Sequence, residues 1–333
     1  MLTLGIETSC DETSVAVTSG GNVLSNEVSS SVHLHRQYGG VVPEIASRYH
    51  VEYINDVLGK ALKDAGKRLE EMRLVAVTRG PGLVGSLLIG IQEAKAISFA
   101  LNIPIIGVNH VLAHLYSIFL GEKKRGLKFP FIGLAVSGGH TGIYVCKGVD
   151  RFELLGQTRD DAIGEAYDKV AKVLGLGYPG GPVVERRAKL SKKKATFFPK
   201  TYLAKGSLDF SFSGIKTAVL YHARKFKDLD VDTVNDTAYA FQESVLDVVV
   251  DKAMLACEKT DIRRIVVGGG VSANRMLREK FSAAARGRGV RAYFPEMRYC
   301  TDNAAMIAGF GEALYKKGKR SNILMTPDPN MKS

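Results

Sequence analysis

Gly133-Leu134-Ala135-Val136-Ser137-Gly138-Gly139-His140-Thr141-Gly142-Ile143-Tyr144-Val145 lies 128 positions after Gly5-Ile6-Glu7-Thr8-Ser9-Cys10-Asp11-Glu12-Thr13-Ser14-Val15-Ala16-Val17, and the two stretches match in kind. Gly5 falls on Gly133, Ser9 on Ser137, Thr13 on Thr141, Val15 on Ile143 and Val17 on Val145. Each copy has the pattern of a strand, a small-residue turn and a second strand, followed by another turn and strand. In the first copy the third strand is Val23-Leu24-Ser25-Asn26-Glu27-Val28, reached through the turn Ser19-Gly20-Gly21-Asn22. Two copies make a pair of like-folded halves and not a solenoid. Their turns, facing one another across a cleft between the halves, would suit an extended phosphate ligand. Glycine admits close backbone approach, and N–H and hydroxyl groups meet the phosphate oxygens.

Size and composition agree with this layout. A chain of 333 residues suggests two globular units. A hydrophobic fraction of 45% is ordinary for a soluble protein. Met1-Leu2-Thr3-Leu4-Gly5-Ile6 lacks the basic start and apolar core of a signal peptide, and glycines or charges interrupt every apolar run. The expectation is a cytosolic protein without a membrane partner. Cys10, Cys146, Cys257 and Cys300 have no C-x-x-C spacing, which argues against a disulfide framework and a cysteine zinc site. The net charge of +12 is clustered at Lys123-Lys124-Arg125, in residues 186–194, and at Lys316-Lys317-Gly318-Lys319-Arg320. Such clustering fits a polyanionic partner, although a basic protein without one has the same composition. RNA is favoured over DNA because no recognition helix or zinc finger is present.

Outward from the repeat, residues 44–63 form a helix and residues 74–78 a strand. Gly80 and Gly82 then turn the chain into a helix ending near Leu101. The turn lacks the Lys-Ser/Thr ending of a Walker A loop and so does not support an ordinary P-loop nucleotide site. Ile103-Pro104-Ile105-Ile106 has the character of a buried strand, and Asn109 that of an N-cap opening a helix. His110 and His114, four apart, then share a helix face and can ligate a metal if a third ligand comes from elsewhere. Val111 stands where a zincin carries its glutamate base. The pair alone also fits two polar groups on a capped surface helix. Residues 121–128 form the best linker.

In the second half, residues 160–174 form a helix, and Gly175-Leu176-Gly177-Tyr178-Pro179-Gly180-Gly181-Pro182 ends it before a helix opening at Val183. Phe210-Ser211-Phe212 suits core packing. Residues 235–260 give a long amphipathic helix and residues 262–267 a strand. Gly268-Gly269-Gly270 follows, which suits either a flat ligand such as a purine or a purely structural turn. A helix from Arg275 and a strand at 291–294 come next. Near the end, Thr301 suits an N-cap and Asp302 the first helical turn. Asp302 is then either an acid favourably placed at a positive helix end or, if this last helix returns to the first half, the missing third ligand.

The ordered motifs make the chain resemble the TsaD/Gcp family of tRNA N6-adenosine threonylcarbamoyltransferases, once assigned as O-sialoglycoprotein endopeptidases. They are Glu7-Thr8-Ser9-Cys10-Asp11-Glu12-Thr13, Tyr38-Gly39-Gly40-Val41-Val42-Pro43-Glu44, Gly80-Pro81-Gly82-Leu83 and Asn109-His110-Val111-Leu112-Ala113-His114. Ser137-Gly138-Gly139-His140-Thr141, Tyr178-Pro179-Gly180-Gly181-Pro182, Gly268-Gly269-Gly270-Val271-Ser272-Ala273-Asn274 and Cys300-Thr301-Asp302-Asn303-Ala304-Ala305 complete the set. Segments 207–217 and 299–308 resemble the bacterial branch.

The resemblance implies an α/β actin-like ATPase (actin/sugar-kinase/Hsp70, ASKHA) fold of two related domains with a ligand cleft between them. One lobe would comprise residues 1–125 plus 301–333 and carry the metal ligands, and the other would comprise residues 126–300 and carry most nucleotide contacts. It implies an acyltransferase that moves a threonylcarbamoyl group from threonylcarbamoyl-AMP to N6 of adenosine 37 in tRNAs reading codons that begin with adenine, releasing AMP. By the same resemblance, His110, His114 and Asp302 bind one Fe(2+) or Zn(2+) per subunit. Ser137, Gly138, Gly139, His140, Thr141, Asp168, Gly181, Glu185 and Asn274 bind the adenylate, a site that ATP, ADP or AMP can also occupy. Glu185 stands where bacterial relatives often carry aspartate, and Val32 replaces a common glutamine. Asp11 or Glu12 orients N6 or takes its proton. Implied partners are the tRNA anticodon loop, a TsaB-like paralogue, a TsaE-like ATPase and a TsaC-type adenylate supplier, or KEOPS subunits for an archaeal chain. The competing expectations are a metal-dependent glycoprotein endopeptidase, a small-molecule kinase of the same superfamily and a non-catalytic, nucleotide-dependent tRNA-binding subunit.

Overall fold

The computed structural model describes residues 1–121 and 126–332, so the basic run Lys123-Lys124-Arg125 and part of the expected linker lie outside the described residues. The first elements are β1 (Leu2–Glu7), β2 (Glu12–Ser19), β3 (Asn22–Ser30), α1 (Val32–His35), α2 (Pro43–Asp64), β4 (Leu74–Gly80), α3 (Val84–Leu101), β5 (Ile105–Asn109) and α4 (His110–Tyr116). There follow β6 (Phe131–Val136), β7 (Thr141–Gly148), β8 (Arg151–Gln157), α5 (Ile163–Val173), α6 (Gly180–Lys189), α7 (Ser213–Ala223) and α8 (Val231–Thr260). The last are β9 (Arg264–Gly268), α9 (Arg275–Gly287), β10 (Arg291–Tyr293) and α10 (Ala304–Lys316). They divide into two units, Met1–Phe129 with Lys147–Phe152 and Pro295–Ser333, and Pro130–Cys146 with Glu153–Phe294.

The sheets run β3-β2-β1-β4-β5 and β8-β7-β6-β9-β10, the same order in each. In the first, β1 pairs antiparallel with β2 and parallel with β4. In the second, β6 does the same with β7 and β9. The offset seen in the sequence carries the register with it: Ile6 faces Val15 and Leu134 faces Ile143, while Leu4 faces Val17 and Ile132 faces Val145. A one-residue slip would move every side chain to the other sheet face, so the shared register fixes the same inward set in both copies.

Both faces of the first sheet are covered, which is why β1 and β4 are near-continuous apolar runs. Leu4 and Ile6 join Val57, Ile91, Ala94 and Ile97 in one core cluster with α2 and α3. By length and composition alone α3 could cross a membrane, yet this inner stripe is packed in the core. Gly5 faces α10, where an added Cβ would lie 2.4 Å from the Ala304 carbonyl and 2.8 Å from Ala308 Cβ. The terminal helix therefore returns to the first half, seated on small residues that let helix and sheet approach closely. In the second unit α8 is buried on most of its circumference, including Ala238, Phe241, Val245 and Val249. The amphipathic reading of this helix is narrowed: it is a central helix whose solvent side is reduced to the half-buried stripe Tyr239, Glu243, Asp247, Asp251 and Leu255, one residue per turn.

Other boundaries shift for local reasons. Strand β5 begins at Ile105 and continues through Asn109, because Pro104 has no N–H to give a ladder. Helix α6 opens at Gly180 instead of Val183. The cap of α10 is Asn303, whose Oδ1 accepts from Met306 N at 3.0 Å, and not Thr301. Asp302 thus precedes the helix and lies outside its first turn.

Candidate metal centre and nucleotide loops

The first site forms where β1, β4 and β5 end. Asn109 closes β5, and its Oδ1 accepts from Leu112 N at 3.0 Å, so His110 is the first residue of α4. One helical turn places His114 beside it, with ring centroids 4.7 Å apart. Asp302, held just before α10, brings Oδ1 to 3.0 Å from His114 Nε2 and 3.5 Å from His110 Nε2. The three potential ligand atoms all lie within 4.8 Å of one another. Both histidines are buried, while the Asp302 side chain keeps 22% of its surface exposed, so the site opens on the aspartate side.

Glu7 ends β1 and organises the rear of this site. Its Oε2 accepts from Thr78 Oγ1 at 2.6 Å and lies 2.9 Å from His110 Nδ1, while Oε1 accepts from Ser9 N. A carboxylate can only accept, so Nδ1 of His110 carries a proton toward Glu7, and Nε2, which faces Asp302, is the nitrogen left for a metal once its own proton is given up. Ser9 Oγ lies 3.2 Å from the same Nδ1. His114 Nδ1 has no hydrogen-bond partner among the described residues, so only its Nε2 faces a polar group.

The electrostatics favour a positive charge at this point. Burial alone would raise Asp302, but the charges and hydrogen bonds of His110 and His114 hold it well below the usual carboxylate range. Glu7 is lowered as well: burial opposes this, and His110 outweighs it. Burial would lower His110, yet Glu7 and Asp302 together push it well above an ordinary histidine. Burial lowers His114 by more than Asp302 restores. Two imidazole nitrogens and one carboxylate oxygen, backed by a second buried carboxylate on one ring, form a donor set that fits a divalent transition metal.

Asp11 and Glu12 lie on the turn after β1 and at the start of β2, in the same unit. The Asp11 carbonyl accepts from Ser31 N and Ser31 Oγ, both at 2.9 Å. Glu12 is pushed well above the usual carboxylate range by burial first, then by the charges of Asp11 and Asp302. It is therefore a carboxylate with enhanced proton affinity.

The second unit gathers the expected nucleotide residues at the carboxyl ends of β6 and β9, where its strand order switches direction, the usual ligand position in an open α/β sheet. Ser137 N donates to His140 O at 2.8 Å and His140 N to Ser137 Oγ at 3.1 Å, closing a tight turn. Beside Gly138 and Gly139 a Cβ would meet nothing within 4 Å, so the turn leaves room for a ligand. On its other side, Ser137 O and Gly138 O accept from Gly164 N and Glu165 N, both at 3.2 Å, and Thr141 Oγ1 accepts from Ile163 N at 2.9 Å. Gly269, at φ +95°, passes Val136 so closely that a Cβ would lie 2.4 Å from its carbonyl oxygen. Backbone packing explains this glycine of the triplet.

Asp168 Oδ1 accepts from Gly180 N at 2.6 Å and so holds the start of α6, leaving open space beside Gly181. Glu185 Oε1 accepts from Arg275 N at 3.2 Å. Asn274 caps α9 through Leu277 N at 3.0 Å and donates from Nδ2 to Gln242 Oε1 at 2.8 Å, and Tyr167 OH donates to the same Gln242 oxygen at 3.3 Å. Sequence reasoning passed over Gln242 and Tyr167, and gave no role to Glu7, Ser9 or Thr78. For Glu7 a signal existed: an acid closing an otherwise apolar buried strand.

The family model described as tRNA N6-adenosine threonylcarbamoyltransferase matches residues 22–309. The curated tRNA N6-adenosine threonylcarbamoyltransferase of Dictyoglomus turgidum is 49% identical over 333 residues, covering 99% of this chain and 98% of the relative. Full-length HypF in its phosphate- and nucleotide-bound form superposes with a TM-score of 0.63 at 17% identity, over 96% of this chain and 47% of that one. The activator of the 2-hydroxyisocaproyl-CoA dehydratase from Clostridium difficile with bound ADPNP gives a TM-score of 0.52 at 15% identity, over 97% and 99% of the two chains. At such identities the two structures speak only to the fold, which is the actin-like ASKHA architecture. Near-complete coverage at almost half identity speaks to more than the fold: the chain belongs to the tRNA N6-adenosine threonylcarbamoyltransferase family.

Proposed function

We propose that the protein transfers the threonylcarbamoyl group of threonylcarbamoyl-AMP to N6 of adenosine 37 in tRNAs reading codons that begin with adenine, and releases AMP. The observation that carries this reading is the convergence of His110, His114 and Asp302 to within 4.8 Å of one another. The donor is a mixed carbamic–phosphoric anhydride, so AMP leaves readily and no covalent nucleophile is needed. The harder task is to align a weakly nucleophilic exocyclic amine with the carbamoyl carbon. The N6–carbon bond forms as the bond from that carbon to the phosphate oxygen breaks. The N6 proton passes to Asp11 or Glu12, and the raised proton affinity of Glu12 supports it as the acceptor.

In the open turn at Ser137, Gly138, Gly139, His140 and Thr141, the N–H groups of Gly138 and Gly139 are the ones offered to the phosphate, while Ser137 and His140 close the turn on each other. Gly181 admits the ligand against the start of α6, which Asp168 fixes. Glu185 is assigned to a ribose hydroxyl, and Asn274 sets the turn under the base. One Fe(2+) or Zn(2+) ion per chain, held by His110 Nε2, His114 Nε2 and Asp302 Oδ1, would supply Lewis acidity toward the threonylcarbamoyl oxygens. Glu7 keeps His110 in the ligating tautomer. Glu7, the carboxylate against His110, is engaged by His110, Thr78 and Ser9, so it orients that ring and is not a free base of the kind a metallopeptidase uses.

A tRNA substrate assigns the reaction to the cytoplasm. In this reading the partners are a TsaB-like paralogue, a TsaE-like ATPase and a TsaC-type donor-forming enzyme. The test mixes the protein and these partners with unmodified tRNA and preformed threonylcarbamoyl-AMP. Mass spectrometry of the digested tRNA is expected to show one threonylcarbamoyl group on adenosine 37. An unmodified adenosine with every component present would reject the reading.

A further inference from the structure

The charge of this protein is not spread over its surface. Residues 186–227 hold twelve of the 46 Lys and Arg but only one, Asp209, of the 34 Asp and Glu. The remainder of the chain is close to neutral, so nearly all of the net +12 belongs to the segment joining α6 to α8. This segment contributes none of the sheet strands. Phe198, Phe210 and Phe212 fix it to the second core, which leaves its outer side as a surface on a rigid base.

Two features separate this surface from a merely solvated basic stretch. Several cations lack acidic partners: Lys192, Lys193 and Lys200 pair with Asp232, Asp236 and Asp247, but Lys194, Arg224, Lys225 and Lys227 pair with no acid among the described residues. Aromatic side chains also stand exposed among them. Tyr221 is 61% exposed, Tyr202 48%, Phe197 45% and Phe226 40%, four of the six exposed phenylalanine and tyrosine side chains of the described residues. His222 lies between Phe197 and Phe226, with ring centroids at 4.7 and 5.3 Å. Unpaired cations suit phosphates, and exposed rings suit unstacked bases; together they are the footprint of a looped or single-stranded nucleic acid. A membrane surface or an acidic protein also engages cations with interleaved rings, and it is the tRNA named for the family that favours nucleic acid here.

We propose that the outer face of residues 186–227 docks the tRNA, with Lys194 and the end of α7 on the ribose-phosphate backbone and Tyr221 and Phe226 stacking on unpaired bases. The proposal rests on the tRNA reading above and deepens it by naming the surface.

The test measures binding of fluorescently labelled, unmodified tRNA to the full chain by anisotropy across a salt series. The variants are R224A/K225A/K227A, Tyr221→Ala, and a control, K63A/K95A/K317A, that removes the same charge from the first unit. Melting curves check that each variant is folded. Loss of three phosphate contacts is expected to weaken binding roughly tenfold or more at moderate salt and to lower the slope of log K against log salt by about two. Tyr221→Ala is expected to weaken binding several-fold with the slope retained, because stacking releases no counterions. The control should change little, and AMP binding should be unaltered in all three.

Unchanged affinity and slope in R224A/K225A/K227A, in a protein whose wild type binds and modifies tRNA, would overturn the proposal and leave the enzymatic reading intact. An equal loss in the control would also overturn it, by reducing the effect to total charge. So would intact tRNA binding combined with lost binding to a partner protein or to anionic vesicles. A wild-type chain that, with its partners, leaves adenosine 37 unmodified would instead remove the reading on which the proposal stands.

Discussion

Glu7 touches no substrate in the proposed reaction, yet its carboxylate determines which nitrogen of His110 is available. In Glu7→Gln the buried Nδ1–H of His110 loses its charged acceptor, and the ring loses a reason to present Nε2. Removing such an outer partner typically costs about 10- to 100-fold in metal affinity. That loss is expected here by competition with a chelating dye, with the fold retained, and an unchanged affinity would remove Glu7 from the site. Glu12 makes the opposite case. Its proton affinity is higher in the folded chain than in the unfolded one, so its contribution to stability falls as pH rises from the ordinary carboxylate range through its raised pKa. At neutral pH the half-buried carboxylate, beside the charges of Asp11 and Asp302, is a cost that Glu12→Gln removes. The variant is expected to melt higher than wild type at neutral pH, to lose that advantage near about pH 4, and to lose roughly 100-fold or more of its transfer rate. A variant with full activity would exclude Glu12 as the proton acceptor.

At the scale of elements, α4 and α10 carry the site, and each is placed by an asparagine cap. Asn303 holds the first turn of α10 through Met306 N and donates from Nδ2 to Thr301 O at 2.7 Å, so it braces both sides of Asp302. Asn303→Ala is expected to cost about 1 kcal/mol of stability, the usual value of an N-cap, and to weaken metal binding along with it. Full metal affinity in a destabilised variant would show that Asp302 is held by other contacts. The same elements show what could be read from the sequence. The β-hairpin repeat was legible because alternation and turn glycines are local, and the cap at Asn109 because an amide precedes an apolar helix. The cap of α10 was not legible. Thr301 and Asn303 are both good caps two residues apart, and the choice depends on how Ala304 and Ala305 meet Ser14 Oγ and Asn26 Oδ1, each at 2.9 Å. Glu7 was missed for a similar reason, because its partners Thr78 and His110 lie 71 and 103 residues away. The central burial of α8 was also hidden, since several of its buried positions, among them Asn235, Asp236, Gln242 and Lys252, are polar and do not announce a core face.

At the scale of the whole molecule, one strand arrangement is used twice and given different chemistry at its strand ends. The first copy ends its parallel strands in Glu7 and His110, which suit a cation. The second ends its own in Ser137-Gly138-Gly139, which suits a phosphate, and in Gly270, beside which there is open space for a flat ring. The first copy cannot finish its site alone: Asp302 lies 188 residues beyond His114 and arrives only with the terminal helix. Activity should therefore depend on that one distant carboxylate through the metal. Measuring metal content and threonylcarbamoyl-adenosine yield in parallel for wild type and Asp302→Ala, both loaded with Fe(2+) or Zn(2+) and supplied with partners, donor and tRNA, decides the matter. Bound metal and product should disappear together in the variant while its melting curve stays cooperative. A variant that keeps the metal, or one that makes product without it, would show that His110, His114 and Asp302 are not the centre of the reaction.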